Sequence, residues 1–206
     1  SEGLAQPHRI YRLAPDRNQP GNLRLYRGDT LLSSGQAEAE CADCLMGDST
    51  HHLADASHGG LLFHAGGLAW QGRGILLPGS IGAGKTTLTA WLVTRGFDLL
   101  TDELVFVPEG ADTFQSLTRP LNIKRPSRAV LQPYFDFNAH SAEILSTPHA
   151  DLAPPTLLRP DNVLSQPPLN RIILPCYLPD GEFELRPLSK AQAGLALMEC
   201  LVNARN

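Results

Sequence analysis

The 206-residue sequence predicts an α/β fold organised around a phosphate-binding loop, and three observations predict it. The nine residues GSIGAGKTT, Gly79 to Thr87, stand between an apolar run, ILLP, and a stretch of helical spacing, LTAWLVT. Short apolar runs such as FDLL, LVFV and RIILPCYL have the length and the bounding residues of strands. KAQAGLALMECLVNA, preceded by Ser189 as an N-cap, reads as a helix near the C-terminus. With 42% hydrophobic and 18% charged residues, the chain can bury a core. It reads as one domain over 1–206, with a small sheet and helix in 1–58 and a nucleotide-binding core with its final helix in 59–206.

Taken in order, RIYRLA and NLRLYRG alternate as strands of a small sheet, with Pro20-Gly21 as a turn. AEAECADCLMGDSTHHLAD is a helix, because alanine, acids, leucine and methionine dominate it, and Gly59-Gly60 stops it. GLLFHAGGLAW and GRGILLP form a hairpin across a loose turn, Trp70 to Gly74. After the loop, Leu88, Trp91 and Leu92 at i, i+3, i+4 mark the buried helical face, and Arg95 with Gly96 ends the helix. FDLL and LVFV flank Thr101-Asp102-Glu103. Residues 108–170 are proline-rich, and RPLNIKRPS, STPHADLAPP and SQPPLN read as loops.

The formal net charge of −4 argues against a general nucleic-acid or anionic-membrane binder. No run approaches the roughly 18 apolar residues of a membrane helix, and no signal peptide opens the chain. The opening SEGLAQ is compatible with a residue left by tag removal. Four cysteines, Cys41, Cys44, Cys176 and Cys200, are too few for a disulfide scaffold and indicate a reducing cytoplasm. CADC with His51, His52 and His58 offers half of a zinc site, but no second ligand pair has the usual spacing. Packing cysteines are the expectation.

GSIGAGKTT satisfies G-x-x-x-x-G-K-[ST], which cradles phosphates for a physical reason. Gly79, Gly82 and Gly84 let backbone N–H groups turn inward, and the following helix presents its positive end. The span from Gly79 through Ser80, Ile81, Gly82, Ala83, Gly84, Lys85 and Thr86 to Thr87 is the expected nucleotide contact. Lys85 is expected at the β- and γ-phosphates and Thr86 at Mg²⁺. Hard oxygen ligands for Mg²⁺ can come from Asp102 and Glu103, 17 residues after Lys85 at a strand end. Adjacent acids on an extended chain point to opposite sides, so they are expected to do different jobs. His64 lies in an otherwise apolar strand, where a histidine is more often buried and satisfied than catalytic.

HAGGLAWQGRGILLPGSIGAGKTTLTAWLVTRGFDLLTDELVFV resembles the core of the HPr kinase/phosphorylase family and its compact relatives. The similarity covers roughly residues 60–107, with looser likeness in RPLNIKRPS and RIILPCYLPDGEFELRPLSKAQA. It implies a phosphoenolpyruvate-carboxykinase-like P-loop α/β fold, like the HPr kinase C-terminal domain, with a mixed β-sheet. It also implies Asp102 as general base, Glu103 as metal ligand in a position that is Asp in HPr kinases, and His64 near the acceptor. Lys124 matches a recurrent lysine of the compact relatives. The Arg-Gly-rich signature and the N-terminal domain of true HPr kinases have no counterpart, so HPr is not the expected acceptor. Compact relatives include kinases of the C-terminal serine of lasso-peptide precursors, and the family's members assemble, so a homo-oligomer is one option.

The expected function is therefore an ATP- and Mg²⁺-dependent kinase of a serine in a peptide or protein, with Asp102, His64 and Lys85 catalytic. Lys124, Arg119 and Arg171, with Arg125 beside them, are candidate phosphate or acceptor contacts, because an arginine facing the transferring group stabilises its charge. A nucleotide-sensing module, a hydrolase and a small-molecule kinase remain as alternatives.

Overall fold

A computed structural model describes residues 9–178 and 181–203, which form a mixed α/β fold. Its contacts divide the chain between His51 and His52, inside a helix, rather than at the expected 58/59 boundary. In the first unit, β1 (Tyr11–Pro15), β2 (Leu23–Arg27) and β3 (Thr30–Gln36) make an antiparallel sheet in that order. β3, absent from the sequence expectation, is TLLSSGQ, whose serines mask its alternation. The expected helix is α1 (Glu38–Ala56). Its Asp48 accepts the Tyr11 hydroxyl at 2.6 Å and the Arg27 guanidinium at 2.7 Å, which ties the helix to β1 and β2.

The second unit is built on β4 (Gly60–Trp70), which is long enough to serve two sets of neighbours. Its later residues, 65–70, pair antiparallel with β5 (Arg73–Pro78). The connecting turn is tighter than expected: only Gln71 and Gly72, both at positive φ, separate the strands. After the glycine-rich loop comes α2 (Lys85–Thr94), then β6 (Asp98–Thr101) and β7 (Leu104–Pro108). Both strands run antiparallel to β4, β6 beside residues 67–69 and β7 beside residues 60–64. β8 (Gln115–Ser116) extends the sheet from β7.

The proline-rich stretch is more ordered than its composition suggests. It contains β9 (Leu121–Lys124), α3 (Arg125–Leu131), β10 (Leu145–Ser146), β11 (Ala150–Ala153) and α4 (Pro155–Leu158). The prolines misled because they start helices here: α3 and α4 each carry one in the first turn, where no N–H is needed. β10, β11 and β9 form a second, antiparallel sheet. Of RIILPCYL, only its first two residues belong to a strand, β12 (Leu169–Ile172), parallel to β5. Pro175 cannot donate to a ladder, and residues 173–178 carry no regular structure. The final helix is α5 (Lys190–Met198), with a capping box between Ser189 and Gln192. It stops short of the expected extent, whose last residue, Ala204, lies outside the described residues.

The expected buried face of α2 is shifted. Thr89, Ala90 and Val93 are buried, whereas Leu88, Trp91 and Leu92 are only partly so. α2 is covered on both sides, by β4 and by α3 and α4, so its apolar residues are shared between two contacts. Leu68, Leu77, Val93, Leu99, Ile123 and Phe137 belong to the larger core on this side. Phe63, Ala65, Leu76, Val105 and Phe114 belong to a second core. Cys41 and Cys200 are buried as packing residues, but Cys176 is exposed. Among the described residues no helix is long and apolar enough to cross a membrane. No group of three or more His, Cys, Asp or Glu side chains among them is arranged to hold a metal ion.

One buried charge fixes the second sheet. Asp151 is fully buried and accepts from Arg125 at 2.8 Å, Arg128 at 2.7 Å and the Ser146 hydroxyl at 2.7 Å. Removing one partner of such a cluster leaves the others uncompensated. Asp151→Ala is expected to cost about 3 kcal/mol, the low end for a buried pair because both arginine heads reach solvent. A urea unfolding midpoint unchanged from wild type would refute this.

Candidate functional site

The site begins where β5 ends. Residues 79–84 turn from the strand into α2, with Gly82 at φ 87° and Gly84 at φ 91°, conformations that a Cβ disfavours. Gly84 is the N-cap residue and has no side chain to accept from the first turn, so that turn carries no side-chain cap. Lys85 is 8% exposed and folds back, donating to the Gly79 carbonyl at 2.6 Å and the Ser80 carbonyl at 3.2 Å. Its ammonium thus stands inside the loop. Ile81, at the loop's outer turn, is 87% exposed. Thr87 donates to the Ser127 hydroxyl at 2.7 Å and joins α2 to α3.

The acidic pair is placed by strand register. Gly67 lies opposite Thr101 and His64 opposite Leu104, so Asp102 and Glu103 fall opposite Gly66 and Ala65. The Ala65 N–H donates to the Glu103 carbonyl at 3.1 Å, and Thr101 donates its hydroxyl to the Leu117 carbonyl at 2.6 Å. As expected of neighbours on an extended chain, the two acids reach different partners. Asp102 is 6% exposed and lies close to the Thr86 side chain, while its Oδ1 has no hydrogen-bond partner among the described residues. Glu103 accepts from Arg119 at 2.5 Å and lies 4.0 Å from His64 Nε2.

Burial pushes the Asp102 carboxyl up to about 7, and the neighbouring Glu103 charge adds to this. The Thr86 side chain, Arg119 and Lys85 act the other way and do not offset it. His64 is lowered from its ordinary value, chiefly by burial, with Lys85 and Arg119 adding to the effect and Glu103 opposing it. A lowered histidine is mainly neutral at pH 7, so His64 offers an open nitrogen lone pair. His64, Lys85, Asp102, Glu103 and Arg119 therefore make one electrostatic cluster at the base of the loop.

The other expected residues are placed differently. Lys124 ends β9 as the exposed N-cap residue of α3. Arg125 is held by Asp151 and by the Thr147 carbonyl, which removes it from the candidates for a transferring phosphate. Arg171 is also not brought to the cluster. It is exposed on β12, opposite Ile75, and donates to the Asn170 carbonyl. Sequence reasoning did not single out Ser127, although it lies in the RPLNIKRPS stretch. It also missed the wall that faces the loop. A cleft of about 330 Å³ is lined by Gly79–Ala83, by Leu174–Tyr177 and by Ala196, Glu199 and Cys200 of the α5 region. The Tyr177 N–H donates to the Ala83 carbonyl at 3.2 Å, closing that wall onto the loop.

The chain was compared with protein-family models, curated proteins and solved structures, and none of the three comparisons found a match.

The displaced carboxyl makes a stability prediction with a definite sign. An acid at about 7 when folded, against 3.8 when exposed, contributes stability that is fully present below about pH 4 and lost as pH rises through about 7. Wild type is therefore expected to lose up to roughly 4 kcal/mol over that window relative to Asp102→Asn, which cannot ionise. Thermal unfolding midpoints across the range check this. A constant gap between the two proteins would show that Asp102 titrates normally.

Proposed function

We propose that the chain is an ATP-dependent kinase transferring the γ-phosphoryl group to a serine hydroxyl of a peptide or protein, of which a lasso-peptide-type precursor is one candidate. The fold proposed with it is the P-loop fold of the HPr kinase C-terminal domain, related to phosphoenolpyruvate carboxykinase. One observation carries the reading. Asp102, buried close to the Thr86 side chain with one oxygen unpartnered, stands at the base of a G-x-x-x-x-G-K-T loop beside Lys85. A sheet and helix do not bury such a carboxylate at net cost for packing alone.

Phosphoryl transfer asks a protein mainly for positioning and charge neutralisation. The loop N–H groups and Lys85 would hold the β- and γ-phosphates, with Lys85 released from the Gly79 and Ser80 carbonyls as phosphate oxygens replace them. The donor set suits Mg²⁺: the Thr86 hydroxyl and the orphaned Asp102 Oδ1 are hard oxygens, and a cation there would stabilise an otherwise costly charge. When bound, Mg²⁺ neutralises charge on the phosphate oxygens. This moves the metal-holding role from Glu103, where the sequence expectation put it, to Asp102. Glu103 already accepts from Arg119 and faces His64. Neutral His64, oriented by Glu103, is then the group to receive the serine proton, and Arg119 lies next to the developing charge.

The two assignments separate experimentally. Labelled ATP and Mg²⁺ are incubated with a serine-peptide library and with each variant. Asp102→Asn is expected to raise the Mg²⁺ concentration for half-maximal transfer by about tenfold or more. Glu103→Gln and His64→Ala are expected to lower kcat by about 10²-fold or more with the Mg²⁺ requirement unchanged. The reverse pattern returns the base role to Asp102. Nucleotide binding without transfer to any peptide would leave a sensor or hydrolase and end the kinase reading. Lys85→Ala should weaken nucleotide binding in every case.

A further inference from the structure

Two thiols that the proposed reaction does not use line the cleft over the glycine-rich loop. Cys176 is exposed and lies in the stretch 173–178, which carries no regular secondary structure, so its thiol is open to solution. Cys200 is 7% exposed and lines the same cleft of about 330 Å³ from the end of the α5 region. Both cysteines sit on segments anchored to the functional cluster. Next to Cys176, Tyr177 is bonded to the Ala83 carbonyl, and the Pro175 ring packs 3.7 Å from where a Gly79 side chain would begin. The Cys200 carbonyl accepts the His64 N–H at 2.9 Å.

We propose that Cys176 and Cys200 are a redox pair whose disulfide closes the phosphate cleft and shuts off nucleotide binding. The proposal rests on the nucleotide-loop reading of that cleft. The chemistry needs a peroxide as oxidant. The exposed Cys176 thiol gives up its proton and attacks one peroxide oxygen; the O–O bond breaks, a sulfenic acid forms, and the released hydroxide takes that proton as one water. The Cys200 thiol then attacks that sulfur, the S–S bond forms, and the hydroxyl leaves as a second water with the thiol proton. Two electrons pass from the sulfur pair to the peroxide, and a thiol reductant reverses the step. The exposed member reacts first and the buried one resolves it, which matches their accessibilities. The bond would tie the Leu174–Tyr177 wall to the α5 region across the cleft that Gly79–Ala83 line.

The test uses the full chain with hydrogen peroxide as oxidant and a fluorescent ATP analogue as probe. Peptide mass mapping without reductant is expected to find a Cys176–Cys200 linkage. Affinity for the analogue is expected to fall at least tenfold and to return with dithiothreitol. Cys176→Ser and Cys200→Ser, each compared with itself before and after peroxide, are expected to lose the response, while Cys44→Ser keeps it. Absence of the linkage, or a linkage that leaves affinity unchanged, overturns the proposal. A response surviving in Cys200→Ser but not in Cys176→Ser points to an adduct on Cys176 alone and also overturns the pair. If the reduced protein binds no nucleotide, the loop reading fails, and the gating proposal falls with it even if mass mapping finds the bond.

Discussion

The close approach of α2 to β4 at Gly66 is the constraint on which the site depends. A side chain at Gly66 would begin 2.5 Å from the Thr89 hydroxyl oxygen, so only glycine lets the helix lie at this distance. Thr86, Thr89, Ala90 and Val93 recur at three- and four-residue spacing, so one stripe of α2 faces the sheet. With Thr89 seated over Gly66, Thr86 is one turn nearer the loop, and Asp102 is opposite Gly66 on the neighbouring chain. The Thr86–Asp102 contact thus follows from a missing Cβ and a strand register.

That geometry is held against an electrostatic cost. The cost is chiefly the burial of the Asp102 carboxyl, to which the neighbouring Glu103 charge adds and which Arg119 and Lys85 reduce without cancelling. The frame tolerates this because its neighbours are fixed by unrelated contacts. Thr101 and Thr118 donate their hydroxyls to the Leu117 and Leu100 carbonyls at 2.6 Å, pinning the strand end that carries the acids. Leu99, Leu100 and Val105, on either side of them, are fully buried. A polar site with perturbed acids is therefore carried on a rigid apolar frame.

What could be read beforehand were the features written locally. The strand–loop–helix around Lys85, the acidic pair after a short strand and the Ser189 cap are each set by a few adjacent residues, and the structure has all three. Features that depend on distant partners were not legible. LNIK and ADLA look like loop sequence until they pair with each other, and the second becomes fully buried only through that pairing. Arg125 looked like a free arginine because Asp151, which holds it, lies 26 residues away. The wall over the loop was hidden for a similar reason, since RIILPCYL reads as continuous strand until Pro175 is placed. The different partners of Asp102 and Glu103 depend on Thr86 and Arg119, which no local spacing links to them.

The strand bearing His64 is completed from far along the chain. Beyond the end of β5, β4 is met by Cys200 and Val202, and Asn203 accepts from the Leu62 N–H at 2.9 Å while donating to the Gly60 carbonyl at 3.0 Å. Leu62 and Asn203 are 141 positions apart. On a translating ribosome, that interval is on the order of ten seconds. Well before it ends, the glycine-rich loop, α2 and both acids have been made, while the first half of β4 still shows an unsealed edge to its surroundings. The histidine's surroundings are therefore completed after the loop, α2 and both acids, and a nascent chain stalled before residue 200 would present a finished loop beside an open strand, in need of a chaperone rather than a substrate.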